Sequence, residues 1–270
     1  MLYEKIQLFN DRPDVYIQTY CADKIWDIKR EAILVIPGGG YFGVCDDREG
    51  EPIAMSFMAK GVNAFVLHYS VKEEAAWPKV LIEASAAMKY IKDNSGKYNI
   101  DPDKIFVTGF SAGGHLCTAL GTLWHHEEIY KEIDMEYGYN KPTGIIPVYP
   151  VVTPFTSNPH LGSFCNLLHT QTPSEEELKK CALDAMVDEK SSPAFIVHTA
   201  NDQIVSVNNS LALASAYAAC GKEFELHIYP DAPHGVALGN DITSLGNEKY
   251  ENKSIEGWID LAVAWMKQLG

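Results

Sequence analysis

The segment GFSAG at positions 109–113 places one serine, Ser111, between two glycines. It follows an apolar run of strand length, KIFVT, and precedes a helical run, HLCTALGTLW. In the pattern G-x-S-x-G the chain turns so tightly from strand to helix that the serine backbone is strained and its hydroxyl is exposed at the head of the helix. This context predicts a nucleophile at Ser111, against the alternative of a glycine-rich turn without chemistry.

A serine hydroxyl is a poor nucleophile unless a neutral base lies within hydrogen-bonding distance. We expect His234 to be that base, because it lies in the loop DAPHGVALG after the apolar run ELHIY, near the end of the chain. His115 is on the predicted helix directly behind Ser111, so it can line the site but cannot easily turn back to the serine. Structural or solvent-exposed roles are expected for five others: His68, His125, His126, His198 and His227.

An acid should orient the imidazole and stabilise its cation, and in chain order it should lie between the serine and the histidine. Asp202 meets this requirement, since it follows the apolar run FIVHT within TANDQIV. Asp231 is the rival, but it precedes His234 by only three residues and cannot easily reach around the ring. Asp188 comes before the strand, at the opposite edge of a parallel sheet. We therefore expect the triad Ser111, Asp202 and His234.

The glycines of PGGGYFG, at positions 37–43, allow two interpretations. Gly38, Gly40 and Gly43 match the dinucleotide pattern G-x-G-x-x-G, which needs an acid about 20 residues on, at the end of the next strand. The next strand region, NAFVLHYS, contains no acid. We therefore favour an oxyanion hole, in which the backbone N–H groups of Gly39, Gly40 and Ala112 face the developing negative charge.

Short apolar or β-branched runs alternate with segments of helical periodicity along the whole chain, without a repeat or a linker. This alternation predicts one α/β domain over residues 1–270, with a mostly parallel sheet and helices on both faces. Helices are predicted after Pro78, before Gly221 and from Trp258 to the C-terminus. The predicted strands are Val15–Tyr20, Ala32–Ile36, Ala64–Tyr69, Ile105–Thr108, Ile145–Tyr149, Phe195–Thr199 and Glu225–Tyr229.

The segment 153–190 breaks the alternation. It is loop-rich at first and then charged, with a capping-box pattern at Ser174 and Glu177. We interpret it as a lid-like insertion over the carboxyl edge of the sheet. Aromatic and polar residues in the neighbouring loops are candidate substrate contacts, for stacking on a sugar or for closing the core: Tyr41, Phe42, Tyr149 and His160.

Composition limits the partners of this chain. With a formal net charge of −14 over 270 residues, we expect binding neither to nucleic acid nor to an anionic membrane. No apolar run approaches the roughly 20 residues that span a bilayer, and the N-terminus does not resemble a secretory signal, so a cytoplasmic location is expected. The six cysteines form no C-x-x-C pair, and no metal-ligand cluster or G-K-[ST] is present. We expect no metal or cofactor; a homo-oligomer remains open.

PGGGY, GFSAGGH, HTANDQIV and PHG, in this order, resemble the α/β-hydrolase esterases related to hormone-sensitive lipase. PVYPV, HLGSFCNLL and ELHIYPDAPHG are similar to small bacterial acetyl esterases of the acetyl xylan esterase type. The resemblance implies the α/β-hydrolase fold and hydrolysis of small acyl esters through an acyl-enzyme, with acetylated xylo-oligosaccharides among the candidate substrates. The sequence departs from the wider lipase family in two ways. Pro37 stands where a histidine usually precedes the glycines, and the long N-terminal cap that helps to enclose large acyl chains is not found, so we expect small acyl groups.

Other functions of the same fold were weighed against this one. A peptidase of the prolyl-oligopeptidase type shares the triad order, but it normally carries a large extra domain, for which no stretch of this chain is long enough. A lipase is the second enzyme alternative. A non-catalytic binding protein would be expected to have lost one of the three triad residues, and this chain retains Ser111, Asp202 and His234.

Overall fold

The computed structural model describes residues 1–24 and 27–269. The seven predicted strands are all present; five of their fourteen ends are as predicted and the others are shifted by one to five residues. An eighth strand, Lys5–Gln7, was not predicted, because three residues with exposed ends carry no readable apolar pattern. The strands are β1 (Lys5–Gln7), β2 (Tyr16–Tyr20), β3 (Arg30–Ile36), β4 (Asn63–His68), β5 (Ile100–Phe110), β6 (Ile145–Val148), β7 (Ala194–Thr199) and β8 (Phe224–Tyr229).

One sheet contains all eight of these strands, in the order β1-β2-β4-β3-β5-β6-β7-β8. The pairs β1/β2 and β2/β4 are antiparallel, and the remaining pairs are parallel. The carboxyl ends of β3 and β5 to β8 therefore lie along one edge. The residues that follow these ends include residues 37–43 (the glycine segment), Ser111, Asp202 and the loop of His234. The topology therefore places every predicted catalytic segment at the same edge.

Helices cover both faces of the sheet, as the alternating pattern predicted. Side chains of α3, α5 and α9 form one core with Leu34, whereas α2 and α11 form the other with Ile33. The helices are α1 (Asp46–Glu49), α2 (Glu51–Ala59), α3 (Lys79–Asp93), α4 (Ser95–Tyr98), α5 (Ala112–Leu123), α6 (Glu127–Glu132), α7 (Leu161–Leu168), α8 (Glu175–Lys179), α9 (Asn208–Ala219), α10 (Asp241–Ser244) and α11 (Trp258–Leu269). Among residues 1–24 and 27–269, no helix has the length and apolarity to cross a bilayer.

The segment 153–190 contains α7, α8 and a short 3₁₀ turn, Leu183–Met186. The capping box at Ser174 is confirmed: its hydroxyl accepts from the N–H of Glu177, and the Glu177 carboxylate accepts from the N–H of Ser174. Helix α7 reaches the glycine segment, where the Asn166 side chain donates to the carbonyl of Gly40 (2.8 Å). The insertion therefore touches the carboxyl edge, and its role as a lid stays a prediction.

Successive side chains of β3 enter the two different cores, which leads to a stability prediction. Ile33 is fully buried against α2 and α11, so Ile33→Ala should lower the free energy of unfolding by about 2 to 5 kcal/mol through lost burial and a residual cavity. The matched control is Ile242→Ala, since Ile242 is 60% exposed and its truncation should cost less than about 0.5 kcal/mol. Urea denaturation of both variants measures the difference. Equal losses would contradict this assignment of the core.

Candidate active site

Ser111 occupies the turn between β5 and α5 with φ +53° and ψ −116°. A non-glycine residue with positive φ is strained, and such strain persists only where the surroundings impose it. The turn is crowded, because a Cβ on Gly109 would lie 2.2 Å from the Gly113 carbonyl oxygen, and one on Gly113 would lie 2.1 Å from that of Ile36. The two glycines of the motif are therefore sterically required, and the predicted sharp turn is present.

Three side chains form a continuous line of hydrogen bonds at this edge. His234 Nδ1–H donates to Asp202 Oδ2 (2.6 Å), which leaves Nε2 to accept from the Ser111 hydroxyl (2.9 Å). Asp202 and His234 come from loops after β7 and β8. The rival acid, Asp231, accepts instead from the Asn201 side chain. The structure thus brings together the three residues that the sequence predicted as a triad.

Asp202 is buried and holds its negative charge through several donors. Its Oδ1 accepts from the backbone N–H groups of Ile204 (2.8 Å) and Val205 (2.9 Å). Burial by itself would raise the pKa of Asp202, but interactions with His198, His234 and the Val205 amide outweigh it and hold that pKa far below its usual range. The carboxylate is therefore ionised at any pH at which the protein would be assayed.

The glycine segment lies directly against the nucleophile. A Cβ on Gly38 would lie 2.9 Å from the Ser111 Cβ. The next two residues have positive φ, +131° at Gly39 and +65° at Gly40, a backbone conformation that glycine adopts without strain. Within the described chain, no acceptor is found for the N–H groups of Gly39, Gly40 or Ala112. Three donors next to a serine hydroxyl are the elements of an oxyanion hole.

The four predicted substrate contacts differ in their exposure. Phe42 is 64% exposed, with the Lys72 ammonium 5.5 Å from its ring centroid. His160 is partly buried and its Nδ1 pairs with the Ser163 hydroxyl (2.9 Å). Burial lowers the pKa of His160, and the charge of His234 lowers it further. The Ser163 hydroxyl lies 3.9 Å from where a Cβ on Gly40 would be, which places this pair beside the glycine segment.

The prediction that Tyr41 and Tyr149 contact substrate is not supported by their burial. Tyr41 is 1% exposed and Tyr149 is 0% exposed. The Tyr41 hydroxyl donates to His115 Nδ1 (2.8 Å), and the Tyr149 hydroxyl donates to Glu49 Oε1 (2.9 Å). Both rings are therefore part of the core next to the site and do not form its exposed surface. Sequence position placed them in the correct loops, but the direction of each side chain depends on tertiary contacts.

Two buried polar residues near the triad were missed by the sequence analysis. His198, assigned a structural role in its strand, has Nε2 3.6 Å from Asp202 Oδ2; this nitrogen also donates to the Val205 carbonyl (3.0 Å). Glu49, at the end of α1, is 2% exposed and accepts from the Gly38 N–H (2.8 Å). The position of His198 inside an apolar strand was a sequence signal for a buried polar role. Glu49 gave no such signal, because it lies in a charged run that resembles an exposed helix.

Comparison with known proteins gives two family matches. The family model described as BD-FAE matches residues 18–217, most of the chain. The model of the dienelactone hydrolase family matches residues 180–270. The second match covers the part that carries Asp202 and His234, and the first covers the glycine segment, Ser111 and Asp202.

Individual relatives are enzymes of ester and xylan chemistry. Endo-1,4-beta-xylanase B of Butyrivibrio fibrisolvens is 38% identical over 80% of this chain and 34% of its own length. Acetylxylan esterase of Xylanibacter ruminicola is 27% identical over 77% of this chain and 41% of its own length. The chain thus spans well under half of these curated relatives. The crystal structure of an acetyl ester-xyloside bifunctional hydrolase from Caldicellulosiruptor lactoaceticus is 30% identical, covers 99% of this chain and 96% of its own, and superposes with a TM-score of 0.83.

His115, behind the nucleophile, generates a pH prediction. It is fully buried between the Tyr41 hydroxyl and the Cys181 carbonyl, and burial lowers its pKa from 6.5 to about 4. As pH falls from 6.5 to 4, the unfolded chain takes up a proton that the folded chain rejects. This group therefore removes up to roughly 3 kcal/mol of stability across that window.

The variant His115→Gln retains a donor to Cys181 but cannot be protonated. It should be less stable than the wild type near neutral pH, and the gap in free energy of unfolding should narrow as pH falls towards 4. Urea denaturation at several pH values measures this gap. A gap that is constant across the window would show that His115 does not contribute to the acid sensitivity.

Proposed function

We propose that this chain, an α/β-hydrolase that belongs to the BD-FAE family, is a serine carboxylesterase that removes small acyl groups, acetyl above all, from ester substrates. The observation that carries the proposal is the line of hydrogen bonds from Ser111 through His234 to Asp202, at 2.9 and 2.6 Å. A serine, a base and an orienting acid in this order form the constellation used for acyl transfer. The names of the relatives favour esters as the substrates.

In the proposed reaction the Ser111 oxygen attacks the ester carbonyl carbon while its proton passes to His234 Nε2. The carbonyl oxygen becomes an oxyanion, which accepts from the N–H groups of Gly39, Gly40 and Ala112. The tetrahedral intermediate then collapses, the C–O bond to the alcohol breaks, and His234 returns the proton to the leaving alkoxide. Asp202 holds the ring and stabilises its cation throughout.

A water molecule completes the cycle by attacking the acyl-enzyme. His234 accepts one proton of this water, a second oxyanion forms in the same place, and Ser111 leaves with the proton as the acid is released. Both half-reactions use one histidine and one set of N–H donors. The donors to Asp202 outweigh its burial and lower its pKa. The acid therefore stays charged while the histidine cycles between its neutral and cationic forms.

For the alcohol half of the substrate we propose a carbohydrate, such as an acetylated xylo-oligosaccharide. Similarity to an acetylxylan esterase and to an acetyl ester-xyloside bifunctional hydrolase supports this choice. The exposed ring of Phe42, beside the glycine segment, offers a surface on which a sugar can stack. His160 is a second candidate contact, because its hydrogen-bond partner Ser163 lies beside Gly40, 3.9 Å from where a Cβ of that glycine would be.

The triad is tested by two substitutions with distinct expected magnitudes. Ser111→Ala should abolish turnover of p-nitrophenyl acetate, with a loss of about 10⁶-fold. Asp202→Asn should lower kcat by about 10⁴-fold, since the amide stabilises the wrong tautomer of His234. Asp231→Asn is the matched control and should retain full activity. An Asp231→Asn variant as damaged as Asp202→Asn would contradict the assignment of the acid.

The substrate class is tested by chain length and by the alcohol. Initial rates on p-nitrophenyl acetate, butyrate and octanoate should fall in that order, because the similarity to acetyl ester hydrolases favours the smallest acyl group. Acetylated xylo-oligosaccharides should then have a higher kcat/KM than p-nitrophenyl acetate. Octanoate as the fastest ester would refute the small-acyl proposal, and equal rates on sugar and aryl acetates would refute the carbohydrate proposal alone.

A further inference from the structure

Glu49 is a buried carboxylate that none of the proposed chemical steps uses. It ends α1, is 2% exposed, and lies beneath the glycine segment rather than in the line of the triad. Burying an ionised carboxylate is costly unless donors and a counter-charge compensate it. Its surroundings therefore need to be accounted for, and they connect two loops of the proposed active site.

One carboxylate oxygen holds the glycine segment. Glu49 Oε2 accepts from the backbone N–H of Gly38 (2.8 Å). The Gly38 carbonyl accepts from the N–H of Cys45 (3.0 Å). Gly38 packs against Ser111 and is followed directly by Gly39 and Gly40. These two bonds fix both peptide groups of Gly38. They therefore restrict the orientation of the N–H groups of Gly39 and Gly40, which are the proposed oxyanion donors.

The other oxygen reaches the histidine loop through a tyrosine. Glu49 Oε1 accepts from the Tyr149 hydroxyl (2.9 Å), and the same hydroxyl oxygen accepts from the N–H of Ala237 (3.1 Å). The Tyr149 ring packs edge-on against His234, with centroids 5.0 Å apart. Burial, and then the charge of Glu49, raise the pKa of Tyr149 well above its usual value, so the phenol remains a donor to the carboxylate.

The adjacent residue supplies the counter-charge. Burial by itself lowers the pKa of Arg48, but the charge of Glu49, together with Tyr149, Cys45 and Tyr250, raises it above its usual value, so the guanidinium remains protonated. This side chain also lies beside the histidine loop, since a Cβ on Gly235 would be 3.1 Å from Arg48 Nη2. The pair Arg48 and Glu49 is therefore placed between the glycine segment and the loop that carries His234.

We propose that Glu49 is a positioning residue for the esterase reaction, which holds the oxyanion segment and the His234 loop in register with Ser111. This inference rests on the proposed function. Glutamine has one acceptor oxygen where glutamate has two, so in Glu49→Gln either Gly38 or Tyr149 loses its acceptor. Because oxyanion donors act on the transition state more than on bound substrate, kcat should fall about 10- to 100-fold while KM changes by less than about 3-fold.

The chain offers a matched control in Glu83, another fully buried carboxylate. Its two oxygens accept from the N–H (2.9 Å) and hydroxyl (2.7 Å) of Ser70. Glu83→Gln should lower thermal stability without changing kcat. Retention of wild-type kcat in both glutamine variants would overturn the inference, and so would an equal loss of kcat in both, since that loss would be a general cost of removing a buried charge.

Tyr149→Phe provides a second, independent measurement if Glu49→Gln fails to fold. It keeps the bond from Gly38 to Glu49 and removes the link to Ala237, so kcat should fall less than in Glu49→Gln, with KM unchanged. The double variant should lose less than the product of the single losses, because both act through one carboxylate. Wild-type kcat in Tyr149→Phe, or fully multiplicative losses, would overturn the coupling.

The wild type and Ser111→Ala separate this inference from the function itself. If the wild type hydrolyses p-nitrophenyl acetate and Ser111→Ala does not, a Glu49→Gln variant that equals Glu83→Gln refutes only the positioning role. If the wild type turns over no ester, the proposed function fails first, and the positioning role fails with it.

Discussion

The backbone of Ser111 imposes the constraint on which the rest of the site depends. Its φ of +53° and ψ of −116° lie in a sparsely populated region that costs a non-glycine residue on the order of 1 to 3 kcal/mol, so the neighbouring structure must hold it. The Ser111 N–H donates to the Val148 carbonyl, and its own carbonyl accepts from the N–H groups of His115 and Val151. Strand β5 lies near the middle of the sheet and α5 is buried almost throughout. The strained turn is thus held between an inner strand and a buried helix.

Once the serine is fixed, the parallel sheet determines where its partners can lie. The segments after β3, β7 and β8 reach the same edge, although they are far apart in sequence. None of these loops is rigid by itself, and each is held by a buried polar group. The amides after Asp202 bond its carboxylate, Asn166 holds the carbonyl of Gly40, and Glu49 bonds Gly38 and Tyr149. Strands bring the loops to one edge, and buried hydrogen bonds fix their conformations.

The parts that could be predicted from sequence are those with a local physical cause. The turn at Ser111 needs small neighbours on both sides, so it leaves a pattern, and the order of strands and loops brings Asp202 and His234 to the same edge. Side-chain direction has no such signature. Tyr149 was placed in the correct loop, but its burial depends on a partner, Glu49, a hundred residues earlier in the chain. Helix α7 was missed because it is only eight residues long and directly follows the loop-rich stretch TPFTSNP.

The distribution of charge around the serine is consistent with a reaction that creates an oxyanion in an acidic protein. The chain carries a formal charge of −14, and two buried carboxylates lie close to the site. Asp202 is separated from the serine by His234. In the proposed reaction His234 becomes cationic when the oxyanion forms, so the charges along the triad would alternate in sign. Glu49 directs both of its oxygens at donors, Gly38 and Tyr149, and the Arg48 guanidinium stands beside it. In the proposed reaction each carboxylate therefore has its own donors before the oxyanion appears, and the N–H groups of Gly39, Gly40 and Ala112 are the donors proposed for the developing charge.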